Sequence, residues 1–492
     1  MFCFQRGRSV PRIALFLFSF ALAFSQPQDD LARKSQDAKE LMAAGRFAEA
    51  VPLYQQLTRA LPANPGLRLN LALAYHMSGQ HQQAIPEFER VLKADPANFP
   101  ALLSLSVSHL QLNQPSLALA PLRKAVTLDP KYVEARGMLA NVLLTLHQPR
   151  EAAVHFRKLI ELNSDDPKAW YGLGKSYEAL AQQSFDQLDK SAQGSPDWLA
   201  LLADSRMERR QYRSAFYFYN QALEKKPDFP GVHTELARVY SSTGHDDWAT
   251  IEKQKEPKLD CVRNKQVCDF NAGRLEQAAT GLSLYWRTRA YNALALAAFR
   301  KLGDLKPSVE IHALKAEILS SHQDYLEATH ELEAAQKLAP GDPQMERQLG
   351  IALYQAKSYQ RSLEIFQKLI PQQPDLSFFL GDSLLKTEQP EQALPWLKSA
   401  VEGDPKLLPA QASLGLAYTK LGKDAEAIPH LTIALPYDDD GSLHYQLALA
   451  LRRTGETAKS AEVLRKYEEL KQRSQSEEQN LEEKAAITAP SK

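Results

Sequence analysis

Apolar residues recur along this chain as pairs of short helical stripes, and the pairs themselves return about every 34 residues. From Pro65 to Asn98, Leu71, Ala72 and Tyr75 share one helical face, Ser78-Gly79 breaks the run, and Ala84, Phe88 and Val91 line a second helix. Ala94-Asp95-Pro96 stops that helix. Proline has no amide hydrogen to give and biases the residue before it to extended geometry. The small Ala72 and Ala84 let two antiparallel backbones approach, while Tyr75 and Phe88 fill the volume beside them. The stop recurs at Asp129-Pro130, Lys226-Pro227, Ala339-Pro340 and Gln373-Pro374. A helix pair of this size cannot bury its apolar side alone. The period therefore predicts an all-α stack in which successive pairs lean on one another, not one core around one pocket.

The pattern resembles the tetratricopeptide repeat family, whose consensus places Trp, Leu, Gly and Tyr on a first helix, Ala, Phe and Ala on a second, and then Pro. Trp170, Leu173, Gly174 and Tyr177 match it together, as do Pro405, Gly415, Tyr418, Gly422 and Ala427. The register continues through Ala118, Leu122, Ala125 and Pro130; Ala152 and Phe156; Ala215, Tyr219, Ala222 and Pro227. It returns at Ala316, Ala328, Leu332, Ala335 and Pro340, at Gly350, Phe366 and Pro374, at Gly381, Ala393, Leu397 and Ala400, and at Ala448, Gly455 and Leu464. About eleven units are recognisable across residues 31–470. The resemblance implies a right-handed superhelical solenoid of antiparallel helix hairpins, with first helices lining a concave binding surface. Mapped onto this chain, the groove positions are Leu69, Leu73 and His76; Leu103, Val107 and Leu110; Asn141 and Leu144; Tyr171 and Lys175. In the later units they are Arg347, Tyr354, Phe378, Asp382, Tyr445 and Arg452. The early set is apolar where solvent-facing residues were permitted, which reads either as a partner surface or as packing against the adjacent unit. The later set mixes aromatic and charged residues, as peptide grooves do.

Two departures divide the chain into an N-terminal array at residues 31–248, an irregular helical insert at 249–307 and a C-terminal array at 308–470. The first helix of the Trp170 unit runs on through Phe185 and Leu188 to a Gly194-Ser195-Pro196 break. The insert holds Cys261 and Cys268, a patch of Lys253, Lys255 and Lys258, a degenerate second helix around Gly273 and Ala278, and a long apolar helix from Leu282 to Leu302. The tail at 475–492 is charged, then small and polar, and reads as disorder.

Residues 1–25 read as an export signal. Arg6, Arg8 and Arg12 precede an apolar run from Ile13 to Phe24, and Ala23-Phe24-Ser25 offers small residues at the positions a signal peptidase checks. Twelve residues make a helix of about 18 Å, short of a ~30 Å bilayer core. Cleavage would deliver a periplasmic or extracellular protein; an uncleaved signal would leave a membrane anchor, the sole membrane contact expected. Acidic and basic residues number 59 each, so no net field argues for nucleic acid. In an oxidising compartment Cys261 and Cys268 are a disulfide candidate, with two free thiols or a metal site as the other readings. The bond would close a short loop and constrain the unfolded chain by about 2.5 kcal/mol.

The remaining chemistry has plainer explanations. Gly172-Leu173-Gly174-Lys175-Ser176 has the ending of a phosphate loop, but Ala169 stands where the first glycine is required and no strand precedes it. Asp438-Asp439-Asp440-Gly441 lacks the distal glutamate of a calcium loop and suits capping of the helix that follows. The twelve histidines, His322 and His330 among them, form no ligand spacing. Phe216-Tyr217-Phe218-Tyr219 covers all sides of a helix and so favours core over a ligand platform. The expectation is a non-catalytic exported scaffold with no metal and no cofactor, binding protein or peptide partners through its grooves. The alternatives are an envelope-assembly or polysaccharide-secretion accessory that binds glycan, and an enzyme with its site in the insert.

Overall fold

The computed structural model describes residues 26–371, 373–484 and 486–490, so the expected signal segment and Cys3 lie outside the described residues. Those residues form helices joined by short turns, with no strand among them. The first pairs are α1 (Gln26–Ala43) with α2 (Phe47–Ala60), α3 (Pro65–Met77) with α4 (His81–Ala94), α5 (Phe99–Gln111) with α6 (Pro115–Leu128), and α7 (Val133–Thr145) with α8 (Pro149–Leu162). The long α9 (Pro167–Ala192) follows, then α10 (Pro196–Glu208) with α11 (Tyr212–Lys225), and α12 (Val232–Ser242) with α13 (Asp246–Gln254). The irregular segment holds α14 (Lys265–Asn271), α15 (Leu275–Ala279) and α16 (Leu284–Asp304). The last pairs are α17 (Val309–Ser321) with α18 (Tyr325–Leu338), α19 (Pro343–Gln355) with α20 (Tyr359–Leu369), α21 (Ser377–Lys386) with α22 (Pro390–Gly403), α23 (Leu408–Lys420) with α24 (Asp424–Ala434), and α25 (Ser442–Arg453) with α26 (Thr457–Lys484).

Local chemistry sets these bounds. Asn64 accepts from the Leu67 amide at 3.1 Å and Asn98 from the Ala101 amide at 3.1 Å, each in extended geometry just before a first helix. Each pair then turns on one residue of positive φ. Gly45 and Gly79 fill this position in the first two pairs, but Asn113 (φ 55°) and His147 (φ 56°) fill it next. Arg210, Gln323, Lys357 and Glu388 do so later, with φ between 56° and 67°. The turn is closed by paired backbone bonds, for example Gly79 N–H to His76 O at 3.1 Å and Gln80 N–H to Tyr75 O at 2.8 Å, which satisfy carbonyls the helix end would leave bare.

The described residues pack as two units, divided between Ser176 and Tyr177 inside α9. In the first unit, Tyr54 and Leu57 of α2 pack with Leu67 and Leu71 of α3. Phe88 and Val91 of α4 pack with Ala72 of α3 and with Ala101 and Leu105 of α5. Every layer thus belongs to two neighbouring pairs. Phe88 is fully buried, a contribution of about 1.5–3 kcal/mol that neither pair could secure alone.

The second unit repeats this scheme. Its first core runs from Leu188 of α9 through Phe216, Tyr219, Leu236 and Tyr240 to Tyr285 and Trp286 of α16. The segment expected as a linking insert at 249–307 therefore shares a core with the hairpins before it. Within it Cys261 and Cys268 are joined by a disulfide, their Cα atoms 5.7 Å apart. Gln266 ties the segment together, donating to Ala278 O at 2.8 Å and accepting from Ser283 N–H at 2.9 Å. Later layers use glycine to bring the two helices of a pair together: a Cβ on Gly350, Gly381 or Gly415 would stand 2.7 Å from Phe366, Leu397 or Leu431. At the C-terminus α26 continues to Lys484, well past residue 475 where composition read as disorder, and Ala486–Pro490 follows outside any helix or strand.

Candidate interaction surface

In the first unit the groove positions are mostly packed. Leu69 and Leu73 are half-buried against the Phe88 layer, which favours the packing reading for them. His76 Nδ1 lies 2.8 Å from Ser108 Oγ, and its ring meets Phe88 edge-on at 6.1 Å, so it links α3 to α5. Burial pushes its pKa down, with His81 acting the same way. Leu103, Val107, Leu110 and Leu144 are half-buried, as are Tyr171 and Lys175, while Asn141 is exposed. Gly172 is a packing glycine: a Cβ there would stand 2.2 Å from the Phe156 ring.

The second unit carries a more differentiated surface. Tyr354 on α19 donates to Asp382 on α21 at 2.7 Å, and Ser413 on α23 donates to the other carboxylate oxygen at 2.6 Å. Three consecutive first helices are thereby bridged through one buried carboxylate. Burial, and then Asp382 beside it, push the Tyr354 hydroxyl pKa far up, so it stays a donor. The Tyr354 ring meets Phe378 at 6.2 Å and Phe379 at 5.2 Å, both edge-on. Tyr437, 53% exposed, lies near enough to raise the Tyr354 pKa further. Tyr445, 40% exposed, has its ring 5.3 Å from that of Tyr467 on α26, and Arg452 is exposed two turns further along the same face of α25. Arg347 is engaged internally: it donates to Gln373 at 3.0 Å and pairs with Asp375 at 2.6 Å, which holds the Asp375 carboxyl below its usual range. The structure thus brings Tyr354, Phe378 and Asp382 together and turns Arg347 towards a neighbouring loop. Tyr437 is the member that the repeat register missed, because it sits in the short helical turn after α24 rather than on a first helix.

A second cluster was not visible in the sequence. Arg289 of α16 pairs with Glu235 of α12 and lies 3.5 Å from Asp204 of α10, whose other oxygen accepts from Tyr219 at 2.6 Å. Arg289 also donates to the Tyr285 hydroxyl at 2.9 Å, with its guanidinium over the rings of Phe270 and Trp286 at 5.1 and 5.2 Å. Desolvation, opposed by Arg289, pushes the Asp204 pKa up to about 6. Every member has an internal partner, and the cluster joins α10, α11, α12 and α16. Phe216 and Tyr219 of the aromatic run are buried and Tyr217 and Phe218 half-buried, so core is the main role of that run. Asp438 accepts from His444 N–H at 2.8 Å and Asp440 from Ser442 N–H at 2.9 Å, the capping arrangement at the start of α25. His322 meets Glu178 at 2.9 Å and His330 meets Glu327 at 3.4 Å.

Comparison with protein-family models agrees with this architecture. A tetratricopeptide repeat model matches residues 41–106 and 109–176, and a second model of the tetratricopeptide repeat matches 314–377. The chain carries tetratricopeptide repeats in these segments. Among solved structures, residues 41 to the end of MamA from Desulfovibrio magneticus RS-1 are 28% identical over 34% of this chain and 96% of that one, with a TM-score of 0.30. A tetratricopeptide repeat protein from Parabacteroides merdae ATCC 43184 is 14% identical over 66% of this chain and 99% of its own, TM-score 0.30. YrrB, described as having an unusual peptide-binding site, is 20% identical over 42% of this chain and 93% of its own, TM-score 0.30. No curated protein matches the chain significantly.

Proposed function

We propose that this chain is a non-catalytic scaffold that binds protein or peptide partners on the first-helix face of its C-terminal repeats. The observation that carries the reading is the set of aromatic side chains Tyr354, Phe378, Tyr437 and Tyr445, with Arg452, on successive repeats, of which α19 and α21, carrying Tyr354 and Phe378, are tied to α23 through Asp382. Aromatic and arginine side chains supply most of the energy at peptide interfaces, and a surface held rigid beforehand loses little entropy on binding. The repeats matched by the family models support the same class of role. Export of the chain is part of the proposal; the basic and apolar run at residues 1–25 supports it, and a Cys261–Cys268 disulfide suits an oxidising compartment.

Panning a random dodecapeptide library against the chain tests the proposal. The expected result is peptides that lose at least tenfold in affinity with the Tyr437→Ala/Tyr445→Ala double variant, at unchanged far-UV circular dichroism. Selected peptides that bind the variant as tightly as the native chain would remove this surface from consideration, and retention on a glycan array without any peptide selection would favour the polysaccharide reading.

A further inference from the structure

The segment that follows α26 returns to the body of the second unit. α26 is 28 residues long, about 42 Å, and packs along α25 before reaching α11. Ala486–Pro490 then runs outside any helix or strand, and Ala486 and Ile487 lie beside the hairpin turns at residues 210–214 and 243–245. Ile487 is half-buried against the core that holds Phe216 and Tyr240, and the Tyr240 hydroxyl donates to the Thr488 carbonyl at 2.9 Å. Burial holds the Tyr240 pKa at about 12, so the hydroxyl remains a donor. An open cleft of about 940 Å³ continues beside Ala486 and Ile487, walled by Arg210, Tyr212, Ser214, Thr243 and His245. His245 stacks on Trp248 at 4.3 Å, which fixes one wall.

We infer that this cleft is a peptide-docking site whose resident occupant is the chain's own Ala486–Pro490 segment. An aliphatic side chain in an apolar notch, with a hydroxyl donating to the next carbonyl, is how a surface reads an extended peptide. One side chain and one hydrogen bond give weak binding to a free peptide. A tether turns that into an intramolecular event at an effective concentration on the order of 1 mM, so the tail holds the cleft until a competing segment of similar chemistry displaces it. The cleft uses turns of α10–α13 rather than the aromatic face of the C-terminal repeats, so either reading can fail without the other.

The test compares the full chain with its Ile487→Asp variant, using a labelled peptide of residues 484–492 as probe and hydrogen exchange as a second readout. An intrinsic Kd of roughly 100 μM against about 1 mM of tethered tail predicts that the peptide binds the variant about tenfold more tightly than the native chain. Amides in segments 210–214 and 240–248 should exchange faster in the variant, and a peptide carrying Asp at position 487 should bind neither protein. Equal peptide affinity for both proteins, no peptide binding to the variant, or unchanged exchange at both segments would overturn the inference. Protection of these segments that rises with protein concentration would assign the occupant to a second copy and overturn the intramolecular docking.

Discussion

Gly415→Ala and Gly403→Ala are chemically the same substitution, and the structure predicts opposite signs for them. A Cβ on Gly415 would stand 2.7 Å from Leu431 Cγ, 2.8 Å from its Cδ2 and 3.1 Å from its backbone nitrogen. Leu431 is fully buried, and the contact with its backbone nitrogen cannot be relieved by a rotamer. Overpacking of this kind costs about 2–3 kcal/mol, offset by the roughly 1 kcal/mol that alanine gains over glycine in a helix. The net expectation is a loss of about 1–2 kcal/mol, confined to α23, α24 and their immediate neighbours. A Cβ on Gly403, the last residue of α22, meets nothing within 4 Å, so only the propensity gain remains, up to about 0.5 kcal/mol at a helix end. Repeat arrays do not unfold as one unit, so hydrogen exchange by helix is the suitable assay. Amides of α23 and α24 should exchange about 5–30 times faster in Gly415→Ala and no faster in Gly403→Ala. Both variants shifting in the same direction, or Gly415→Ala leaving α23 and α24 untouched, would refute the close-approach account of these glycines.

Three further outcomes follow from named contacts. Asp204 has a folded pKa of about 6 against an unfolded value near 3.9, so its protonated form stabilises the fold. That contribution, of order 2–3 kcal/mol, is fully present below about pH 4 and is lost as pH rises through 6; Asp204→Asn should flatten this part of the melting-temperature profile between pH 4.5 and 7.5, and an unchanged slope would contradict it. Tyr354→Phe leaves Asp382 with Ser413 as its remaining hydroxyl donor and should cost about 1–3 kcal/mol, read as faster exchange in α19 and α21; wild-type exchange would show that the bridge contributes nothing. Lys357→Gly and Glu388→Gly relieve positive φ at 61° and 59°, and each should raise the local stability of its hairpin by roughly 0.5–1 kcal/mol, with no slowing of hydrogen exchange in that hairpin as the failing result.

Much of the fold was legible because proline and small residues mark the repeat in fixed places. The glycine turns at Gly79 and Gly422 were also readable. Their counterparts at Lys357 and Glu388 were not, since neither side chain favours the left-handed conformation that the two flanking helices impose. Five prolines inside second helices, at 52, 86, 121, 395 and 429, show that the residue stops a helix only where its neighbours agree. The surface was half legible. Register placed Tyr354, Phe378 and Asp382 on a common face, but the same register offered Arg347 as a groove residue when Asp375 engages it, and Leu69 and Leu73 when the Phe88 layer claims them. The Asp204–Glu235–Arg289 cluster joins residues far apart in sequence that follow no period, so only the packed structure assembles it. The tail was read by its lack of apolar residues; its Glu, Lys, Gln and Arg are also good helix formers, and that propensity agrees with α26 running on to Lys484.

The co-ownership of each hydrophobic layer by two adjacent hairpins has an evolutionary corollary. Inserting one more 34-residue block between existing blocks replaces the one layer its neighbours shared with two of the same kind and leaves the others intact, whereas truncating a block strips a greasy flank bare. Lineages carrying such a chain can lengthen it by in-frame duplication more readily than they can shorten it.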